Sequence, residues 1–206
     1  MKVTAEFVTS AAGAEGFPRE GLPEIAMVGR SNVGKSTLIN TLARRTIART
    51  SAAPGKTRLA NFYRVKAEGR PEFLLVDLPG YGYARGGAAA AREFEGLVRA
   101  YFDARLASGR LASALLLVDA RHPGLESDRH AWTWLGDLGA PRHVVATKMD
   151  KLTRADRARV VRELTTLHEA PVVPVSAPSG EGLNELWTLI ARLLKQPPQP
   201  PPPTPL

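Results

Sequence analysis

Gly29-Arg30-Ser31-Asn32-Val33-Gly34-Lys35-Ser36 spells G-x-x-x-x-G-K-S, and the fold of the chain is decided by how this stretch is read. The run before it, Glu24-Ile25-Ala26-Met27-Val28, is short and mostly apolar, as a buried strand requires. The run after it, Thr37-Leu38-Ile39-Asn40-Thr41-Leu42-Ala43, carries apolar residues at helical spacing. A glycine loop between a strand and a helix points backbone N–H groups and the helix N-terminus at one place, where an anion is favoured. Lys35 then reaches the outer phosphates of a nucleoside polyphosphate, and the Ser36 hydroxyl meets a magnesium ion. The plainer alternative is a glycine turn beside an unrelated lysine. It gives no reason for the strand and helix on either side.

Outward from the loop, composition sets limits. A chain of 206 residues holds one sizeable core and is short for two domains. No apolar run approaches the ~20 residues of a membrane-spanning helix. The first residues, Met1-Lys2-Val3-Thr4-Ala5-Glu6, lack the layout of a signal peptide. The sequence has no cysteine, which excludes disulfides and thiolate metal sites. A cytoplasmic location is expected. Twenty-eight Lys+Arg against 20 Asp+Glu give a net charge of +8, which suits a polyanionic partner. The basic residues are dispersed, and Ala, Arg, Gly and Pro are common throughout, so part of this excess is compositional.

Along the chain, apolar periodicity predicts strands near residues 5–8, 61–66, 73–77, 114–119, 144–147 and 171–175. Helices are predicted to about residue 44 after the loop, then over 92–107, 128–138, 155–169 and 183–194. Glu68-Gly69-Arg70-Pro71 makes a hairpin of the second and third of these strands. Thr153-Arg154-Ala155-Asp156 reads as a capping box. Two stretches, 46–60 and 78–91, have no clear period and read as functional loops. Strands alternating with helices imply an α/β fold: a doubly wound, mostly parallel sheet with one antiparallel strand at an edge. The expected organisation is an N-terminal segment at 1–22, one domain over 23–195, and a proline-rich disordered tail at 196–206.

In such a sheet the ligand lies beyond the carboxyl ends of the strands. Asp77-Leu78-Pro79-Gly80 is a D-x-x-G at the end of a buried run. Asp77 there can hold a water on magnesium, and Gly80 leaves its N–H free to approach a terminal phosphate. Asp119, which also ends an apolar run, is the rival acid, but no glycine follows it three residues on. Thr147-Lys148-Met149-Asp150 matches [NT]-K-x-D at the next strand end. Asp150 can accept two hydrogen bonds from the N1–H and N2–H₂ edge of guanine, an edge adenine lacks. The Lys148 stem would cover one face of the base. Val175-Ser176-Ala177 ends the last strand and can offer the Ala177 N–H to guanine O6. In the loop at 46–60, Thr57 within Pro54-Gly55-Lys56-Thr57 is the expected second magnesium ligand, with Thr50 and Ser51 as competitors.

Together these motifs resemble the Ras-like P-loop GTPases of the translation-factor-related class, over residues 24–194. Finer features are similar to the EngB/YihA (YsxC) group. They are Gly29 to Thr37, Pro54 to Thr57, Asn61-Phe62-Tyr63, Asp77 to Ala84 with its tyrosines, Asp119-Ala120-Arg121-His122-Pro123 and Thr147 to Leu152. This resemblance implies GTP and GDP binding, GTP hydrolysis with Mg2+, and a role in assembly of the large ribosomal subunit, with a link to cell division and septation. Its precursor rRNA and ribosomal proteins would be the partners of a chain acting as a monomer, with no membrane association. Lys35, Thr57 and Gly80 would serve hydrolysis. After residue 194 there is no RNA-binding appendage as in Era and no second GTPase domain as in Der. The proline-rich tail departs from the family pattern.

Ras-like enzymes aim the attacking water with a glutamine directly after D-x-x-G, whereas this chain has Tyr81. Slow hydrolysis, completed by a partner or an ion, is therefore expected. Asn32 occupies the position that holds K+ in related potassium-stimulated GTPases, although an asparagine there can instead bond the loop backbone. Arg85 is a further candidate helper. His122, His130, His143 and His168 have no partners at metal-ligand spacing. The three tryptophans read as packing rather than base-stacking platforms. Arg44, Arg45, Arg49, Arg58, Arg64 and Arg85 are the expected phosphate contacts on RNA. A metabolic P-loop kinase or ATPase acting on a small molecule is the competing function. Asp150 and the lack of a lid insertion argue against it.

Overall fold

The computed structural model describes residues 1–48, 59–81 and 87–196, with backbone alone over 87–94. In chain order the elements are β1 (Val3–Ala11), β2 (Glu24–Gly29), α1 (Lys35–Ala43), β3 (Ala60–Ala67), β4 (Phe73–Asp77), α2 (Gly87–Ala107), β5 (Leu111–Asp119), α3 (Glu126–Asp137), β6 (Arg142–Thr147), α4 (Arg154–His168), β7 (Val172–Pro174) and α5 (Leu183–Leu193). Among the described residues seven strands form one sheet, ordered β1-β3-β4-β2-β5-β6-β7. β2 runs parallel to β4 and β5, and β5-β6-β7 continue the parallel set. β3 is antiparallel to β4 on one side and to β1 on the other.

All six residues of β2 are buried, because helices cover both faces of the central sheet. The two-residue alternation of a strand divides them. Ala26 and Val28 join a core with Tyr101 and Phe102 of α2, Leu135 of α3, and Val160 and Leu164 of α4. Ile25 and Met27 point the other way, to Leu38 and Leu42 of α1 and to Leu186, Trp187 and Ile190 of α5. Each such side chain contributes on the order of 2 kcal/mol on burial. Thr153 caps α4 as the capping box predicts: its Oγ1 accepts the Asp156 N–H at 3.2 Å.

Two expectations need adjustment. The short strand read at 5–8 is a nine-residue edge strand; its exposed positions, including Phe7, weaken the apolar signal. The antiparallel hairpin therefore lies one strand in from the edge. The tryptophans pack as expected, Trp187 edge-on to Phe73 and Trp134 edge-on to Phe102. Trp132 lies beneath the Arg142 guanidinium, 4.4 Å from the ring centroid.

Candidate functional site

The carboxyl ends of β2, β4, β5 and β6 lie along one edge of the sheet, through the pairs Met27–Asp77, Gly29–Leu117 and Asp119–Thr147. The loop from Arg30 to Gly34 joins β2 to α1 at this edge. Asn32 turns it with φ of +63°, and Val33 packs into the core beneath α1. Arg30 and Ser31 sit on the loop's rim, and Thr37 is exposed on the first turn of α1. Lys35 is buried, with Nζ donating to Gly29 O at 3.0 Å and Arg30 O at 3.4 Å. Burial pushes the Lys35 pKa below the ordinary lysine value, and the Asp77 carboxylate pulls against that.

Asp77 is buried and receives the Ser36 hydroxyl on Oδ2 at 3.3 Å. Its other oxygen, Oδ1, is buried and has no hydrogen-bond partner among the described residues. Burial pushes the carboxyl pKa up, while Lys35 and Ser36 oppose the shift. An orphaned carboxylate oxygen beside a serine hydroxyl is a hard oxygen donor set and fits magnesium, which keeps waters between itself and one carboxylate. Among the described residues no cluster of three or more His, Cys, Asp and Glu side chains could hold a metal by itself. Leu78 is buried in the core, and Pro79 and Gly80 follow it across the phosphate loop. A Cβ on Gly80 would stand 2.7 Å from Ser31 N and 2.9 Å from Lys35 Nζ, so only glycine fits there.

The third strand end is built around Thr147. Its hydroxyl donates to Val33 O at 2.7 Å and lies 3.2 Å from Val118 O, tying the phosphate loop to β5 and β6. Lys148, with φ of +61°, extends over the loop and donates to Asn32 O at 2.6 Å. The same ammonium meets Asp119 Oδ2 at 2.8 Å. Arg121 clasps both oxygens of Asp119, at 3.0 and 2.7 Å. Burial opposes ionisation of Asp119, but the bonds from Arg121 and Lys148 outweigh it and hold the pKa well below the usual carboxylate range. Asp119 thus serves as an anchor for Lys148. Sequence reasoning weighed it only as a metal acid, and nothing in a lone strand-end aspartate signals the difference.

Met149 is buried beneath Asp150. Asp150 accepts the Ser176 hydroxyl on Oδ1 at 2.9 Å, with Lys151 Nζ 3.1 Å from Oδ2. Partial burial acts against its charge, and these two donors win, so its pKa lies below the ordinary value. Val175, Ser176 and Ala177 fall just past β7 rather than within it. Val175 N donates to Ala146 O at 2.7 Å, and Met149 N to Val175 O at 3.3 Å. Those two bonds bring the 175–177 segment against 147–150. The Ser176 hydroxyl as the orienting group of Asp150 was not foreseen, since a buried serine at a strand end is ordinary. Gly55, Lys56 and Thr57, the competitors Thr50 and Ser51, and Arg49, Arg58 and Arg85 lie outside the described residues. Arg64 is not a free phosphate contact, because Glu6, Glu20 and Glu72 surround its guanidinium.

The strand-loop-helix, the buried strand-end aspartate and the Thr147–Asp150 segment converge on the architecture of a P-loop GTPase. Comparison with known proteins agrees: the model of the family described as "50S ribosome-binding GTPase" matches residues 24–148. The "probable GTP-binding protein EngB" of Pelotomaculum thermopropionicum is 43% identical over 198 residues, covering 93% of this chain and 96% of that protein. Its counterpart in Clostridioides difficile is 40% identical over 202 residues, covering 95% and 96%. This chain belongs to the EngB family of GTP-binding proteins. Among solved structures it is similar to Era in complex with MgGDPNP and nucleotides 1506–1542 of 16S ribosomal RNA, with a TM-score of 0.70 and 26% identity. That likeness covers 89% of this chain and 59% of the Era chain.

Proposed function

We propose that the chain is a cytoplasmic, monomeric, Mg2+-dependent GTPase switch that acts in assembly of the large ribosomal subunit, with a link to septation. The convergence of Lys35, Asp77 and Asp150 at one edge of the sheet carries the nucleotide part of this reading. In it, Gly29 to Thr37 wrap the phosphates, with Lys35 on the outer ones. Ser36 and Thr57 would ligate magnesium directly, and Asp77 would hold it through a water. Magnesium, when bound, neutralises charge that develops on the transferring phosphoryl group. Leu78 and Pro79 carry Gly80 to the terminal phosphate. Gly55 and Lys56 are assigned to the nucleotide contacts together with Thr57.

Thr147, Lys148, Met149 and Asp150, with Val175, Ser176 and Ala177, frame the guanine. The bond from Ser176 leaves Asp150 ionised and oriented, as a double acceptor must be. Lys148 is likewise held in place by Asp119 and Asn32 before any base arrives, which reduces the ordering cost of binding. Tyr81 stands where an aiming glutamine is needed, so hydrolysis is slow until a ribosomal partner, or K+ held at Asn32, completes the site.

The ribosomal part rests on family membership, on the description of the matching family model, and on a net charge of +8. Era, with its bound ribosomal RNA, supplies a structural parallel. Sedimentation with large-subunit particles tests it. GTP-loaded protein is expected to co-sediment at low salt and to be released as salt rises, with GDP-loaded protein bound more weakly. Failure of the GTP-loaded form to bind at low salt would remove the ribosomal role and leave the nucleotide site standing.

A further inference from the structure

The segment that follows Asp77 is stitched to the phosphate loop by backbone and side-chain contacts. The Ser31 N–H donates to Tyr81 O at 3.0 Å and the Ser31 hydroxyl to Gly80 O at 3.3 Å. Arg30 and Tyr81 pair as an isolated parallel bridge. Side chains then fasten this seam to α3. The Tyr81 hydroxyl donates to Asp128 Oδ1 at 2.8 Å, and Arg30 Nε stands 3.6 Å from the same oxygen. Asp128, in the first turn of α3, is 1% exposed, and its Oδ2 has no hydrogen-bond partner among the described residues. A buried carboxyl with one satisfied oxygen depends heavily on the bond it does make.

The seam bears on which nucleotide fits. Gly80 is so close that a Cβ there would lie 2.9 Å from Lys35 Nζ, while that ammonium is turned back onto Gly29 O and Arg30 O. A terminal phosphate drawn to Lys35 has to part Gly80 from Ser31 and the ammonium. The inner phosphates, cradled by the loop itself, make no such demand. We propose that Asp128 is a positioning residue that holds Tyr81 and Arg30 together, opposes entry of the terminal phosphate, and so sets the preference for the diphosphate over the triphosphate. A ligand shifts such an equilibrium only by its differential affinity for the two arrangements, so weakening the seam favours the triphosphate alone. This inference rests on the guanine-nucleotide reading above.

Calorimetric titration of the full chain with GDP and with a non-hydrolysable GTP analogue, in Mg2+, tests it. Tyr81→Phe keeps the ring and the Ser31–Tyr81 backbone bond and removes the hydroxyl. It is expected to improve analogue affinity relative to GDP by roughly three- to tenfold, the range of one net hydrogen bond. Asp128→Ala, which removes the anchor for both Tyr81 and Arg30, should shift the ratio at least as far. Asp128→Asn keeps an acceptor for the hydroxyl and should retain most of the original ratio. An unchanged ratio in Tyr81→Phe, or proportional weakening of both nucleotides, would overturn the proposal. Absence of GDP binding by the unaltered chain would instead overturn the nucleotide reading itself.

Discussion

Under the proposed function the selectivity of the site is concentrated in one carboxylate, that of Asp150, held by Ser176 and Lys151. Asp150→Ala should weaken GDP binding at least about a hundredfold, because two hydrogen bonds to a charged group contribute on the order of 1.5–3 kcal/mol each. Isothermal titration of both proteins checks this. Asp119 yields a pH signature. Its carboxyl titrates below the ordinary 3.8 in the folded chain, because Arg121 and Lys148 outweigh burial. Its contribution to stability is therefore fully present above about pH 4 and is lost as pH falls below that value. Urea unfolding of Asp119→Asn should accordingly show a deficit near neutrality that shrinks below pH 4. Lys35, Asp77 and Asp150 were legible in the sequence because each closes or follows a buried apolar run with a fixed pattern around it. Asp119 and Asp128 were not. An acid after a strand, or in the first turn of a helix, has common local explanations, and only packing shows what lies opposite.

At the scale of elements, the turn between β7 and α5 carries Ser176, which holds Asp150. Gly182 has φ of +75°, and a Cβ there would meet Pro174 O at 1.9 Å. Ser176 N donates to Glu181 O within the same turn. Gly182→Ala should cost at least about 2 kcal/mol, from strain at positive φ together with a backbone clash. Thermal unfolding should show the loss, and GDP affinity should fall with it, since the turn carries Ser176. Helix and strand types followed directly from the sequence pattern, as in the apolar runs of β2, buried throughout, and β5, buried at all but Ala112. Boundaries were harder to read. β7 ends before Val175, although Val175 N still donates to Ala146 O of β6, and that boundary has no sequence mark.

On the scale of the whole molecule, the sheet separates two functions by its two ends. Strand carboxyl ends gather the residues proposed to bind nucleotide, and the opposite end is closed by a buried ion pair between Glu24 and Arg105 at 2.9 Å. The Tyr101 hydroxyl also donates to Glu24, and Arg105 reaches Pro18 O, pinning the segment between β1 and β2. Arg105→Ala should destabilise the chain by about 3–5 kcal/mol, because it strands a buried carboxylate. Denaturant midpoints would show this, and the double variant Glu24→Leu/Arg105→Met should recover much of the loss. The α/β class and the direction of the sheet were readable from alternation alone. The Glu24–Arg105 pair was not, since its members are 81 positions apart and neither sits in a motif.

The proposed switch function depends on binding of a guanine nucleotide at the carboxyl ends of the strands. Competition for bound, fluorescently labelled GDP in the presence of Mg2+ tests it most directly. Unlabelled GDP and GTP should displace the label at micromolar or lower concentrations, and ATP should fail to do so at a hundredfold excess. Displacement by ATP as effective as that by GTP would contradict the account.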